Sequence, residues 1–165
     1  MSPVLIILGA GAPPEHTHAF GVQKVTLDRR VLDWQLDAFA ALNPEVHFVG
    51  GYDITTVQQF FPKLTYHHNT QWRETGASAS LAQALGELKD IGARDLYITY
   101  SDVLLRPCLV ATLAASGDTH CSIACDTVDT HPKRSPEMLA VLEQEKGVDV
   151  TGSLKAMKAE IIANK

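Results

Sequence analysis

Five short β-like runs alternate with four stretches of helical periodicity, and this order constrains the fold more than any other feature of the chain. The runs cover residues 3–8, 46–49, 64–67, 96–100 and 121–125. Val31, Leu32, Trp34, Gln35, Leu36, Phe39 and Leu42 follow helical spacing, and Asn43-Pro44 ends that helix. Residues 54–61 read as a second helix, with Asp53 as N-cap and Pro62 as the stop. A third, over 78–89, sets Leu81, Ala82, Leu85 and Leu88 on one face, and a fourth covers 107–115. Strands joined through helices pair in parallel and need cover on both sides. The expected fold class is therefore α/β: a three-layer α/β/α, Rossmann-like, mostly parallel sheet. Beyond Asp126 the pattern changes to a small C-terminal extension, with a hairpin of 138–142 against 147–150 and then a helix rich in Lys and Ala. The whole chain, residues 1–165, is expected to be a single domain.

Charge and cysteine usage narrow the class. A net charge of −5 with no basic stripe argues against a nucleic-acid partner. The longest apolar run is far too short to span a bilayer, so no membrane is expected. The N-terminus lacks the basic segment and the longer apolar stretch of a signal peptide, so none is expected. Cys108, Cys121 and Cys125 are odd in number and show no CxxC spacing, which fits reduced thiols and a cytoplasmic location. The histidines show no HExxH or Cys/His ligand spacing, so no structural zinc site is expected.

Two strand ends carry chemistry. The first apolar run breaks into Gly9-Ala10-Gly11, where backbone N–H groups can approach a phosphate without Cβ obstruction. The run 96–100 ends in Ser101-Asp102, placing a carboxylate where it can hold the Mg²⁺ that accompanies phosphates. Ligands of open α/β sheets gather beyond the carboxyl ends of the strands, where Gly50-Gly51 and residues 69–76 also fall. A nucleoside triphosphate site is the expectation. Pro13-Pro14 stand where a dinucleotide-binding helix would begin, which opposes a Rossmann oxidoreductase, and no GK[ST] is present for a Walker loop.

The motifs extend further. Leu8-Gly9-Ala10-Gly11 is followed by a long loop, then Gln23-Lys24-Val25, then Val31-Leu32-Asp33-Trp34-Gln35-Leu36. Phe48-Val49-Gly50-Gly51-Tyr52 comes next, then the stretch from Asn69 through Trp72 and Thr75-Gly76 to Ser80-Leu81-Ala82. Tyr100-Ser101-Asp102-Val103-Leu104 completes the series. In order and spacing it resembles the nucleotidyltransferases of the sugar-phosphate and MobA-like superfamily, and most of all the phosphocholine and phosphonate cytidylyltransferases. The resemblance implies Mg²⁺-dependent attack by a small phosphorylated acceptor or sugar 1-phosphate on the α-phosphorus of an NTP. CTP is the favoured donor, and pyrophosphate leaves. Asp102 would then bind the metal and act catalytically with Lys24, which would stabilise phosphate charge. Leu8, Gly9, Ala10 and Gly11 would border the triphosphate. Gly76, Ala77, Ser78 and Ser80 would admit the base.

The chain departs from that family at several positions. Ala12, Pro13, Pro14 and Glu15 stand where the family places a phosphate-gripping arginine, and Gln23 replaces the proline before the lysine. A segment carrying the family's second metal-binding aspartate is not found, so the C-terminal part of the usual fold is expected to be missing. The alternative these departures favour is a nucleotide-binding module or partner subunit without turnover. Residues 12–23, with two prolines and two histidines and no apolar periodicity, are expected to lack core contacts and to order over bound triphosphate.

Overall fold

The structure, a computed structural model, describes residues 2–14, 18–89 and 94–115, together with the backbone of 139–141 and 160–162. The chain falls into two compact units, Met1–Pro107 and Cys108–Lys165. In the first unit β1 (Val4–Gly9), β2 (Glu45–Gly50), β3 (Thr65–His68) and β4 (Leu96–Tyr100) form one all-parallel sheet in the order β3-β2-β1-β4. The helices between them are α1 (Val31–Phe39), α2 (Ile54–Phe60) and α3 (Ala77–Glu87), and α4 (Pro107–Ala115) follows β4. This is the expected α/β, Rossmann-like arrangement.

Strand β1 is central and buried along its whole length, which is why its sequence is a continuous apolar run rather than an alternating one. Leu5, Ile6 and Ile7 are fully buried, and each such side chain contributes about 1.5–3 kcal/mol of transfer free energy. Val4, Ile6 and Leu8 point to one face, where Val49 and Ala84 join them and Leu81, Leu85 and Leu88 of the third helical stretch pack. Leu5 pairs in register with Tyr97, whose ring meets Phe39 of α1 edge-on at 5.6 Å. The sheet is thus covered by α3 on one face and α1 on the other.

Arg30 is the N-cap of helix α1, and its N–H donates to Asp33 Oδ2 at 2.7 Å. The helix is shorter than the sequence spacing implies. After Phe39 the chain tightens into a 3₁₀ turn over Ala40–Leu42, and Asn43 ends it in the left-handed region (φ 46°). That conformation suits Asn, and the following Pro44 cannot continue a helix.

The expectation that residues 12–23 lack core contacts needs correction. Pro13, Ala19, Gly21 and Val22 are buried, and Phe20–Val22 forms a 3₁₀ turn. Asp53 holds this segment. Its Oδ2 accepts from the Ala19 N–H at 3.3 Å and lies 3.0 Å from His18 Nδ1. From the other side, Arg30 Nη1 donates to the Val22 carbonyl at 2.6 Å. Asp53, in the left-handed region (φ 50°), sits at the N-cap of α2 without bonding a helix N–H. Its other oxygen accepts from Thr56 Oγ1 at 2.5 Å. Partial burial opposes its charge, but the hydrogen bonds from Thr56, His18 and Ala19 outweigh that and hold the carboxyl below its ordinary pKa.

The expected fifth strand, 121–125, and the 147–150 segment lie outside the described residues. In the second unit β5 (Leu139–Val141) pairs antiparallel with β6 (Glu160–Ile162). The first arm of the hairpin is where the sequence puts it. Its partner instead falls in the stretch expected to be helical, where Ile161-Ile162 supply β-branched residues. Among the described residues no helix is long and apolar enough to cross a membrane.

Candidate functional site

The sheet order places the site. β2 and β4 flank β1; the β1–α1–β2 crossover runs over one face of the sheet and the β3–α3–β4 crossover over the other, so the strand order reverses between β1 and β4. The Ser101 N–H donates to the Leu8 carbonyl at 2.9 Å, which carries the β1–β4 ladder one residue past β4. On the other side the Tyr52 N–H donates to the Ala10 carbonyl at 2.9 Å. Gly9 and Ala10 are therefore held between the two neighbouring strand ends. At Gly9 a Cβ would lie 2.4 Å from Phe48 Cζ and 2.8 Å from Ser101 Oγ, so only glycine fits.

A cleft of about 290 Å³ opens at this point. Leu8 to Ala12 form one wall, Thr75, Gly76, Ala77 and Ser80 a second, and Tyr100, Ser101 and Asp102 a third. Of the residues expected from sequence, Leu8, Gly9, Ala10, Gly11, Gly76, Ala77, Ser80 and Asp102 all line it. Lys24 and Ser78 do not. Lys24 is exposed and forms an antiparallel bridge to Arg30 at the base of a turn, while Ser78 is exposed in the first turn of α3.

The second wall has a built framework. Buried Asn69 takes the Gln71 N–H on Oδ1 at 2.9 Å, which fixes the orientation of its amide. Its Nδ2 then donates to Thr75 Oγ1 and to Ser80 Oγ, each at 2.9 Å. Thr75 passes its own hydrogen to the Gln71 carbonyl at 2.7 Å. Ser80 is 3% exposed and already accepts from Asn69, so its hydroxyl hydrogen is left to donate into the cleft. Gly76 caps α3 with no side-chain bond to the first turn, which leaves the positive end of the helix at the cleft.

Two of the lining glycines differ from Gly9. A Cβ at Gly11 or Gly76 would meet nothing within 4 Å, and neither residue has a positive φ. Packing and backbone conformation both permit a side chain there, so close approach of a ligand is a physical reason for glycine at both positions.

Asp102 is exposed at the mouth of the third wall and makes no hydrogen bond or ion pair among the described residues. The turn that carries it is anchored from α1. Gln35 Nε2 donates to the carbonyls of Tyr100 and Val103, both at 2.6 Å. No group of three His, Cys, Asp or Glu side chains able to hold a metal occurs among the described residues. One free carboxylate fits a Mg²⁺ that arrives with phosphates and keeps several waters, rather than a dedicated protein cage.

Phe20, Trp72, Thr75, Tyr100 and Ser101 also line the cleft and were not assigned to it from sequence. Trp72 combines packing with lining. It seats on Gly51, where a Cβ would lie 2.6 Å from Trp72 Cβ, and meets Tyr52 edge-on at 5.6 Å. The tight Gly50-Gly51 pair was the sequence signal for such a close approach. No protein-family model matches the chain, and no curated protein matches it.

Proposed function

We propose that the chain is a Mg²⁺-dependent nucleotidyltransferase of the sugar-phosphate and MobA-like kind, transferring a nucleoside monophosphate, CMP first among them, from an NTP to a small phosphorylated acceptor. One relationship supports this above the rest: three chain segments far apart in sequence meet in one cleft at the carboxyl ends of β1 and β4. That cleft combines a glycine turn, a helix N-terminus with no side-chain cap and a carboxylate with no partner among the described residues.

Each wall then has a task. The backbone of Gly9 to Gly11 borders the triphosphate, and Gly11 leaves room for its close approach. Gly76 and Ala77 admit the base, and Ser80 donates its hydroxyl hydrogen to an acceptor on the base edge. Asp102 would hold the metal, which when bound neutralises phosphate charge and aligns the α-phosphate. Nucleotidyl transfer needs little covalent work from the protein. The acceptor oxygen bonds to the α-phosphorus, the bond to the bridging oxygen breaks, and pyrophosphate carries away the electron pair.

A second reading, a nucleotide-binding module without turnover, is favoured by a specific observation. Among the described residues, no Lys, Arg or His lines the cleft. A pyrophosphate-release assay with CTP, UTP, ATP and GTP against phosphocholine, phosphonates and sugar 1-phosphates separates the two. Release that needs CTP, acceptor and Mg²⁺ is the expected result. Nucleotide binding with no release for any acceptor would select the module.

A further inference from the structure

The buried face of α1 consists of Val31, Leu32, Gln35, Ala38 and Phe39, so Gln35 is its one polar member. Gln35 is fully buried. An amide taken out of water is costly unless bonded, and an apolar side chain of the same volume would serve packing better. Both of its N–H groups are in use. They reach the carbonyls of Tyr100 and Val103, the first and last residues of the turn that contains Ser101 and Asp102. The Val103 N–H closes the same turn on the Tyr100 carbonyl at 3.3 Å. Gln35 Oε1, by contrast, has no hydrogen-bond partner. The side chain is thus placed for what it donates.

We infer that Gln35 is a positioning residue that presets the Asp102 carboxylate relative to the Gly9–Gly11 turn. The inference rests on the reading of Asp102 as the metal-binding residue. Beyond Ser101 no neighbouring strand among the described residues guides the chain, because the ladder to β1 ends at the Leu8–Ser101 bond. The turn carbonyls need donors from elsewhere, and a helix docked on the sheet supplies them at a fixed distance. Asp102 itself makes no hydrogen bond or ion pair among the described residues that would orient it. A carboxylate on a loose turn would have to be ordered each time the metal–nucleotide complex binds, and Gln35 removes that cost in advance.

The test is a double-mutant cycle in CTP affinity, measured by calorimetry with Mg²⁺ and again with EDTA. Gln35→Met keeps volume and burial but removes both donors, and Asp102→Asn removes the carboxylate charge. Gln35→Met is expected to weaken Mg²⁺-dependent CTP binding roughly 10-fold or more, the usual effect of losing a group that orients a metal ligand, and to leave EDTA binding unchanged. In the double variant it should add nothing to the loss caused by Asp102→Asn. Equal weakening with and without Mg²⁺, or additive losses, would make Gln35 merely structural and overturn the inference. If Gln35→Met fails to fold, Gln35→Asn takes its place, since the shorter amide cannot reach both carbonyls. If Asp102→Asn itself leaves Mg²⁺-dependent binding intact, the metal reading fails, and the positioning role fails with it. Normal binding in Gln35→Met beside a clear loss in Asp102→Asn overturns the positioning role alone.

Discussion

His47 Nδ1 and His67 Nε2 lie 2.9 Å apart on the face of the sheet that carries α3, and both side chains are almost fully buried. Their rings stack at 26°. His67 Nδ1 meets Glu87 Oε2 of α3 at 2.6 Å, while His47 Nε2 lies 3.1 Å from Glu45 Oε1 without a hydrogen bond. Arg94 Nη2 in turn meets Glu45 Oε2 at 2.7 Å. A carboxylate can only accept, so the hydrogen on His67 Nδ1 points to Glu87. Between the two rings one nitrogen donates to the other, so the tautomers of His47 and His67 are coupled. The network therefore binds β2 and β3 to α3 and to the segment before β4 through its proton arrangement.

That arrangement makes stability depend on pH with a definite sign. Burial depresses the basicity of His47, and the Glu45 carboxylate only partly restores it. The unfolded chain thus takes up this proton at higher pH than the folded one. The contribution is fully present above about pH 6.5 and is lost as pH falls below it, at about 1.4 kcal/mol for each unit of pKa depression. The carboxylates act in a lower window. The Arg94 hydrogen bond lowers the Glu45 pKa and the His67 bond lowers that of Glu87, so their contributions fade only below the usual carboxylate range. Thermal midpoints from pH 8 to 5 should therefore fall for the wild type, and its advantage over His47→Leu should shrink below pH 6.5. A pH-independent difference between the two proteins would contradict this account.

The glycines of the cleft should separate into two kinds. Gly9→Ala forces a methyl group into Phe48 and Ser101 and should destabilise by about 1–3 kcal/mol, as overpacking does. Gly11→Ala and Gly76→Ala meet open space and should leave the thermal midpoint nearly unchanged. Their effect should fall on nucleotide affinity instead. Denaturant titrations beside CTP binding measure both quantities. A strong loss of stability in Gly11→Ala, or unaltered CTP binding in both open-site variants, would remove the case for close ligand approach.

The alternation of strands and helices was readable because each strand of the first unit reads as a short β-like run, and the cleft because its lining motifs end those runs. Leu96–Tyr100 and Pro107–Ala115 appear in the structure with the boundaries that the sequence implies. What escaped was long-range bonding. Nothing local reveals that Asp53 reaches back to Ala19, which is why residues 12–23 read as free of the core. Gln35 looks like an ordinary member of a helical stripe until its two acceptors, 65 and 68 residues away, are seen. Lys24 was placed at the phosphates by resemblance alone, and its bridge to Arg30 holds it in a separate turn.

Asn69 should matter although it does not itself line the cleft. One amide there orders exposed Gln71, half-buried Thr75 and buried Ser80, so its loss leaves the buried Ser80 oxygen without its donor and frees the turn before α3. Asn69→Leu is expected to cost about 1–3 kcal/mol in stability for each buried group left unpaired. Hydrogen exchange of residues 70–76 should accelerate in the variant. If exchange there matches the wild type, the wall is held by other contacts.

The last prediction concerns the base. Asn69 donates to Ser80 and occupies one lone pair of its oxygen, which leaves the hydroxyl hydrogen free for an acceptor on the ligand. Pyrimidine rings carry a carbonyl oxygen on an edge small enough for a wall built from Gly76 and Ala77. Ser80→Ala should therefore weaken CTP binding by about 0.5–1.5 kcal/mol, the ordinary net value of one neutral hydrogen bond. Ala77→Leu should do more, because it fills the space that the ring needs. Neither substitution touches Asp102, so binding of Mg²⁺–pyrophosphate should persist in both variants. Competition among CTP, UTP, ATP and GTP on the three proteins reads these effects directly. A wild type that prefers purines, or an Ala77→Leu variant that binds CTP normally, would put the base elsewhere and remove the reason for ranking CTP first.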